Sequence, residues 1–93
     1  MTITQNNGAE SGFFLAEDDG RRMGYLSYEW ASESVFAILH TVVEEPYQGQ
    51  GVAKSLLDAA VSFARDNGFK IMPLCPYADK VFRRDPSYSD VKS

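Results

Sequence analysis

The 93-residue sequence holds one cysteine, Cys75, and one histidine, His40. A lone cysteine excludes an intrachain disulfide, and so few soft ligands leave no structural zinc site, so no metal is expected. No stretch reaches the roughly 18 apolar residues that a membrane-spanning helix needs. Met1–Glu10 is polar and lacks the basic-then-apolar order of a secretion signal. Membrane association is therefore not expected, and a cytoplasmic location is the default. Positive charge is also scarce: nine Lys and Arg against thirteen Asp and Glu leave a net charge of −4. That balance offers no basic stripe to a nucleic acid. It is mildly favourable for a cationic partner such as an amine.

What is present reads as one small α/β (α+β) domain over residues 1–93, with residues 1–10 as a loose leader. Ser11–Glu17 suits a short strand, and Asp18-Asp19-Gly20 is a hairpin turn. Arg22–Trp30 alternates, and its Gly24, Leu26, Tyr28 and Trp30 face is expected to meet the core. Val35–Val43 is almost unbroken apolar sequence, which predicts a strand buried on both faces. Gly51–Asn67 is a helix with an apolar stripe of Val52, Leu56, Ala60 and Ala64, flanked by Leu57, Val61 and Phe63. Gly68 suits its left-handed cap. Phe69–Leu74 is a further strand, and Pro76 opens a short helix that ends at Asp85-Pro86. In the tail that follows, Tyr88 and Val91 are placed to pack back. The sheet is expected to be mainly antiparallel, with one long and one short helix packed on it.

The loop Pro46-Tyr47-Gln48-Gly49-Gln50-Gly51-Val52-Ala53-Lys54 joins an apolar strand to the long helix. Backbone N–H groups at a helix start have no intrahelical partner and suit phosphate oxygens. Glycines let the backbone approach such a ligand closely. On glycines alone, a plain turn explains the segment equally well. A P-loop is excluded because Ala53, not glycine, precedes Lys54-Ser55. A dinucleotide fingerprint is excluded because Lys54 occupies its third glycine position.

Gln48, Gly51 and Ala53 fit Q/R-x-x-G-x-G/A, the pyrophosphate signature of the GNAT acyltransferase superfamily. With Leu39-His40-Thr41, Cys75-Pro76-Tyr77-Ala78 and the closing Pro86-Ser87-Tyr88-Ser89-Asp90-Val91, roughly residues 12–92 resemble the short, YjdJ-like branch of that superfamily. The resemblance implies a minimal GNAT-like fold that binds acetyl-coenzyme A and transfers its acetyl group to an amine acceptor, a small molecule or a protein. It implies that Gln48, Gly49, Gln50, Gly51, Val52, Ala53 and Lys54 hold the pyrophosphate. Thr41, Val42 and Val43 would pair their backbone with the pantetheine arm, like an added strand. The acetyl thioester would lie where the Val35–Val43 and Phe69–Leu74 strands splay apart.

The departures from the family pattern are specific. Many relatives carry an Asn, an Ala three residues on, and a Tyr four further. The Asn and Tyr contact the cofactor, and the Tyr serves as general acid. Here Cys75 replaces the Asn, Ala78 matches, and Phe82 replaces the Tyr, so the usual acid is missing. The sequence also has no final pair of strands and no helical pair near its start, which leaves a minimal acceptor half.

Cys75, beside the inferred acetyl site, is a candidate nucleophile, because a helix start favours a thiolate. As a buried small residue it would be inert. His40 is a candidate base, or a hydrogen-bonded sheet histidine. Glu44 and Glu45 would draw in an amine, or are solvated loop charges. Lys80, Arg83 and Arg84 form a basic patch suited to the coenzyme A 3′-phosphate, or cap their helix. The rival functions are a non-catalytic coenzyme A-binding or regulatory module, and a protein-interaction domain.

Overall fold

The computed structural model describes Met1–Ser93. The first half supplies β1 (Thr2–Asn7), the alternating strands β2 (Ser11–Asp18) and β3 (Arg21–Trp30), and the apolar strand β4 (Val35–Val43). The second half supplies α1 (Val52–Asn67), β5 (Lys70–Pro73), α2 (Pro76–Arg84) and a closing 3-10 turn over Pro86–Val91. The strands lie in chain order in one sheet. All neighbours are antiparallel except β4 and β5, which are parallel. The β2–β3 hairpin turns on Asp19 and Gly20 at φ 49° and 77°. Two left-handed residues suit the right-handed twist of a tight hairpin.

The expected loose leader is instead an edge strand, with Thr2–Asn7 paired to β2 along its whole length. Its sequence, TITQNN, lacks the apolar alternation that marks a strand. It is fixed by side chains reaching core aromatics. Gln5 Nε2 donates to Tyr28 Oη at 2.9 Å, and Tyr28 Oη donates to Asn7 Oδ1 at 2.7 Å. Trp30 Nε1 donates to the same Asn7 oxygen at 3.1 Å. A phenol or indole that packs inward needs such a partner for its polar atom.

The apolar stripe of α1 covers one face of the sheet. Leu56, Leu57, Ala60, Val61 and Ala64 pack with Phe14, Ala16, Leu26, Tyr28, Phe36 and Ile38 in one buried cluster, which also takes in Cys75, Ala78 and Phe82. The other face carries Phe13, Leu15, Tyr25 and Ser27 around an open depression of about 620 Å³. As expected, Tyr88 and Val91 pack back into the core. Asp90 anchors that tail through two contacts of 2.8 Å with the Arg65 guanidinium.

Only part of β4 is buried on both faces. Phe36, Ala37 and Ile38 are buried, whereas His40 is exposed and Leu39 and Thr41–Val43 are half-buried. The reason is pairing: β5 meets only Val35–Ile38. Leu74 N and Cys75 N then both donate to the Ile38 carbonyl, at 3.1 and 2.9 Å, and the chain turns away. On the other side Leu39 is an extra residue, because pairing with β3 steps from Tyr28↔Ile38 to Ser27↔His40. Such a bulge re-aims the residues after it.

Two predictions follow from this packing. A Cβ at Gly24 would lie 2.4 Å from the Val42 carbonyl oxygen and 3.1 Å from Val43 Cα. Backbone cannot yield as a flexible side chain can, so Gly24→Ala should cost about 2 kcal/mol, read as a lower midpoint in urea denaturation. The Arg65 guanidinium holds the Asp90 carboxyl below its ordinary range, and Ser87 does the same for Asp85. A depressed folded pKa gives stability that is present above the unfolded value and lost as pH falls through the folded one. The gap in Tm between the wild type and Asp90→Asn should therefore be open at pH 6 and shrink by pH 3. A gap unchanged across that range would contradict the assignment.

Candidate functional site

After Val43 the chain makes a 3-10 turn over Glu45–Tyr47, with Pro46 in its first turn, and enters α1 through Gln48–Gly51. Gly49 and Gly51 both stand at φ 79°. That left-handed geometry costs other residues roughly 1–2 kcal/mol each. Gly51 is the N-cap of α1 and brings no side-chain cap. The first intrahelical donor is Ser55 N, to Gly51 O at 3.0 Å, and the six amides from Gly49 to Lys54 donate to nothing in the protein. The loop is braced from within. Gln48 Nε2 donates to Val43 O at 3.2 Å and Gln50 Nε2 to Pro46 O at 3.3 Å. Loop, Val43, Tyr47 and Tyr77 surround a cavity of about 270 Å³. Free amides, a helix N-terminus and a lysine together favour an anion there.

Lys54 is the one charged residue lining that cavity. Its Nζ lies 3.3 Å from both Asp58 carboxylate oxygens and 5.3 Å from the centre of the Tyr88 ring. Tyr88 and Asp58 hold the ammonium pKa above its ordinary value. Tyr88 Oη in turn donates to Asp58 Oδ1. Burial pushes both the Tyr88 and Tyr77 phenols up. The Tyr88 ring stacks on Phe82, with centroids 5.5 Å apart and planes 14° apart.

The candidate cofactor residues separate into two groups. Val43, Gln48, Gly49, Gly51, Val52, Ala53 and Lys54 line the cavity, and Gln50 braces it. Ala78 and Phe82 are buried in the core instead. Thr41 faces α2, where Cys75 Sγ donates to its Oγ1 at 3.4 Å. Val42 pairs with Tyr25, which lines the open depression. Cys75 is 3% exposed and is the N-cap of α2, where its sulfur accepts from Ala78 N at 3.5 Å. His40 pairs with Ser27 on the open face. Adjacent strand residues point to opposite faces, so His40 and the Thr41–Cys75 pair lie on opposite sides of the sheet. Of the basic patch, Arg83 is paired with Asp79 at 2.9 Å.

Sequence reasoning missed Tyr47, Tyr77, Asp58 and Tyr88 as members of this region. Asp58 carried a usable signal, being four residues after Lys54 on a helix. Tyr88 carried none, because its contact with Asp58 spans 30 residues.

The comparisons with known proteins agree on one family. Residues 12–91 match the family model described as GCN5-related N-acetyl-transferase. Protein NATD1 of Homo sapiens is 33% identical over 61 residues, covering 66% of this chain and 54% of that protein. The chain thus spans about half the length of the curated relatives it matches. The solution structure of a GCN5-like candidate N-acetyltransferase from Staphylococcus aureus superposes with a TM-score of 0.73 at 31% identity, covering 97% of this chain and 87% of that one. The aminoglycoside N-acetyltransferase AAC(6')-Iy, solved in complex with CoA, shares the fold with a TM-score of 0.66 at 18% identity, over 89% of this chain and 88% of that one.

Proposed function

Because the chain belongs to the GCN5-related N-acetyltransferase family, we propose that its Gln48–Lys54 loop holds the pyrophosphate of acetyl-coenzyme A and that the domain transfers the acetyl group to an amine. The supporting observation is the run of six undonated amides around two left-handed glycines at the start of α1. They present hydrogen-bond donors at a point where no side chain intervenes, and phosphate oxygens are acceptors only. The pantetheine arm would continue along β4 beyond Ile38, where β5 no longer pairs. There Thr41, Val42 and Val43 have a strand neighbour on one side only, so an extended amide chain can add to the edge.

The substrate supplies a thioester, whose carbonyl carbon is attacked by the amine lone pair. The new C–N bond forms as the C–S bond breaks, the nitrogen sheds a proton, and the coenzyme thiolate takes one up. His40 is exposed on the open face and serves as the candidate base for an amine arriving from that side. Phe82 has no hydroxyl to protonate the thiolate. Cys75 is the thiol nearest the pantetheine track, but its sulfur is engaged with Thr41 and Ala78 and is almost fully covered. Those contacts favour direct transfer, with Cys75 holding the start of α2, over a relay through an acetyl-cysteine. The missing hydroxyl at Phe82 favours, as a second reading, a module that binds coenzyme A without turnover.

The loop is tested by Gly51→Glu. A Cβ there meets nothing within 4 Å, but the φ of 79° makes any residue other than glycine cost roughly 1–2 kcal/mol. The variant should therefore be somewhat less stable yet still folded, with native circular dichroism. The carboxylate would stand among the amides, and coenzyme A affinity should fall by at least about tenfold, or ~1.4 kcal/mol. Unchanged affinity in calorimetry would reduce the loop to a turn. The role of Cys75 is tested by incubation with acetyl-coenzyme A and mass spectrometry. Direct transfer leaves no hydroxylamine-sensitive adduct, and Cys75→Ala should lower the rate modestly while sparing cofactor affinity. A trapped acetyl-Cys75 that is discharged by an amine would establish the relay instead.

A further inference from the structure

We propose that Asp58 restrains Lys54 in the free protein and so sets the affinity of the loop cavity for phosphate, by competing for the one cation that lines it. The inference rests on the phosphate-loop reading above and adds a control that the loop itself does not contain.

The geometry is a chain of contacts running from the core to the cavity. Phe82 and Tyr88 stack inside the core, and both are nearly fully buried. The Tyr88 hydroxyl leaves that stack and donates to the Asp58 carboxylate. Asp58, fixed in this way, holds the Lys54 ammonium at 3.3 Å through both oxygens. The Tyr88 ring face lies 5.3 Å from the same ammonium. An ordinary i,i+4 pair on a helix surface is free to open. Here the acidic partner has a second tether to a buried side chain, so it keeps its position when the lysine swings away.

A phosphate group at the α1 N-terminus must take Lys54 from Asp58 or do without it. Either way, the carboxylate remains one helical turn beyond Lys54 on α1 and repels an anion held at the helix start. The half-exposed pair is worth little in absolute terms, yet it acts directly against ligand binding. Asp58→Asn removes the charge and keeps an oxygen for the Tyr88 hydroxyl, so the tether and the fold should survive.

Calorimetric titration with coenzyme A of the wild type, Asp58→Asn, Lys54→Ala and the double variant tests the proposal. Asp58→Asn should bind about threefold tighter or more, within the range such pairs provide. The gain should shrink as salt rises. In the Lys54→Ala background the gain should be markedly smaller, since double-variant coupling isolates what passes between the two residues. An Asp58→Asn affinity equal to or weaker than the wild type overturns the proposal, as does an undiminished gain without Lys54. A wild type that binds no coenzyme A overturns the phosphate-loop reading itself. Wild-type binding with no response to Asp58→Asn overturns only the role of Asp58.

Discussion

Two amides, Leu74 N and Cys75 N, converge on the carbonyl of Ile38, and most of the site depends on that convergence. It spends the last outward acceptor that β4 offers to β5, so the parallel ladder ends there. The chain then has to leave the sheet plane, and Pro76 starts α2 at once, with its φ already set for a helix. Cys75 is thereby placed against Thr41, and β4 continues with one edge bare. The extra residue Leu39 falls at the same level on the opposite edge. A ladder ending on one side and a bulge on the other are separate irregularities, and together they free the Leu39–Val43 segment from the sheet interior.

That freed segment leads directly into the loop, and the two share a design. The loop's own side chains brace it inward, Gln48 onto Val43 and Gln50 onto Pro46. Its backbone donors face outward because Gly49 and Gly51 take left-handed geometry that other residues resist. Backbone amides cannot rotate away, so their orientation is already paid for in folding and is not charged against ligand binding. Lys54 differs in being a flexible side chain that already has a partner. On the proposed reading, the fixed donors would set what chemistry the cavity accepts, and the movable cation would be where its strength is adjusted.

Much of this was legible in the sequence, for physical reasons that also explain what was not. The α1 stripe and the β3 alternation are signals of burial, and burial drove both elements as read. Asp19-Gly20 and Gly51 are signals of backbone geometry, and each adopts the left-handed conformation that its residue type permits. β1 was illegible because polar side chains hold it, through hydrogen bonds to Tyr28 and Trp30 that sit more than 20 residues away. The even apolarity of Val35–Val43 hid a difference between its halves, since the place where a neighbouring strand stops is a property of the neighbour. Ala78 and Phe82 were placed near the cofactor by resemblance alone, and packing takes both into the core.

The separation of His40 from Cys75 constrains any reaction here. One belongs to the open face and the other to the helix-covered face, and a continuous sheet between them would bar contact through its hydrogen-bonded backbone. The sheet is not continuous past Ile38, where β4 has lost β5. A group lying along the bare edge of β4 would be within reach of both sides at once: bound from the helix side, where the loop and α2 stand, and approached from the open side, where no helix covers Tyr25, Ser27 or His40. An acceptor arriving across the open depression would meet the edge without displacing any packed element. On the proposed reading, donor and acceptor would lie on opposite faces of the sheet and meet at the level of Ile38, the carbonyl at which the β4–β5 pairing ends.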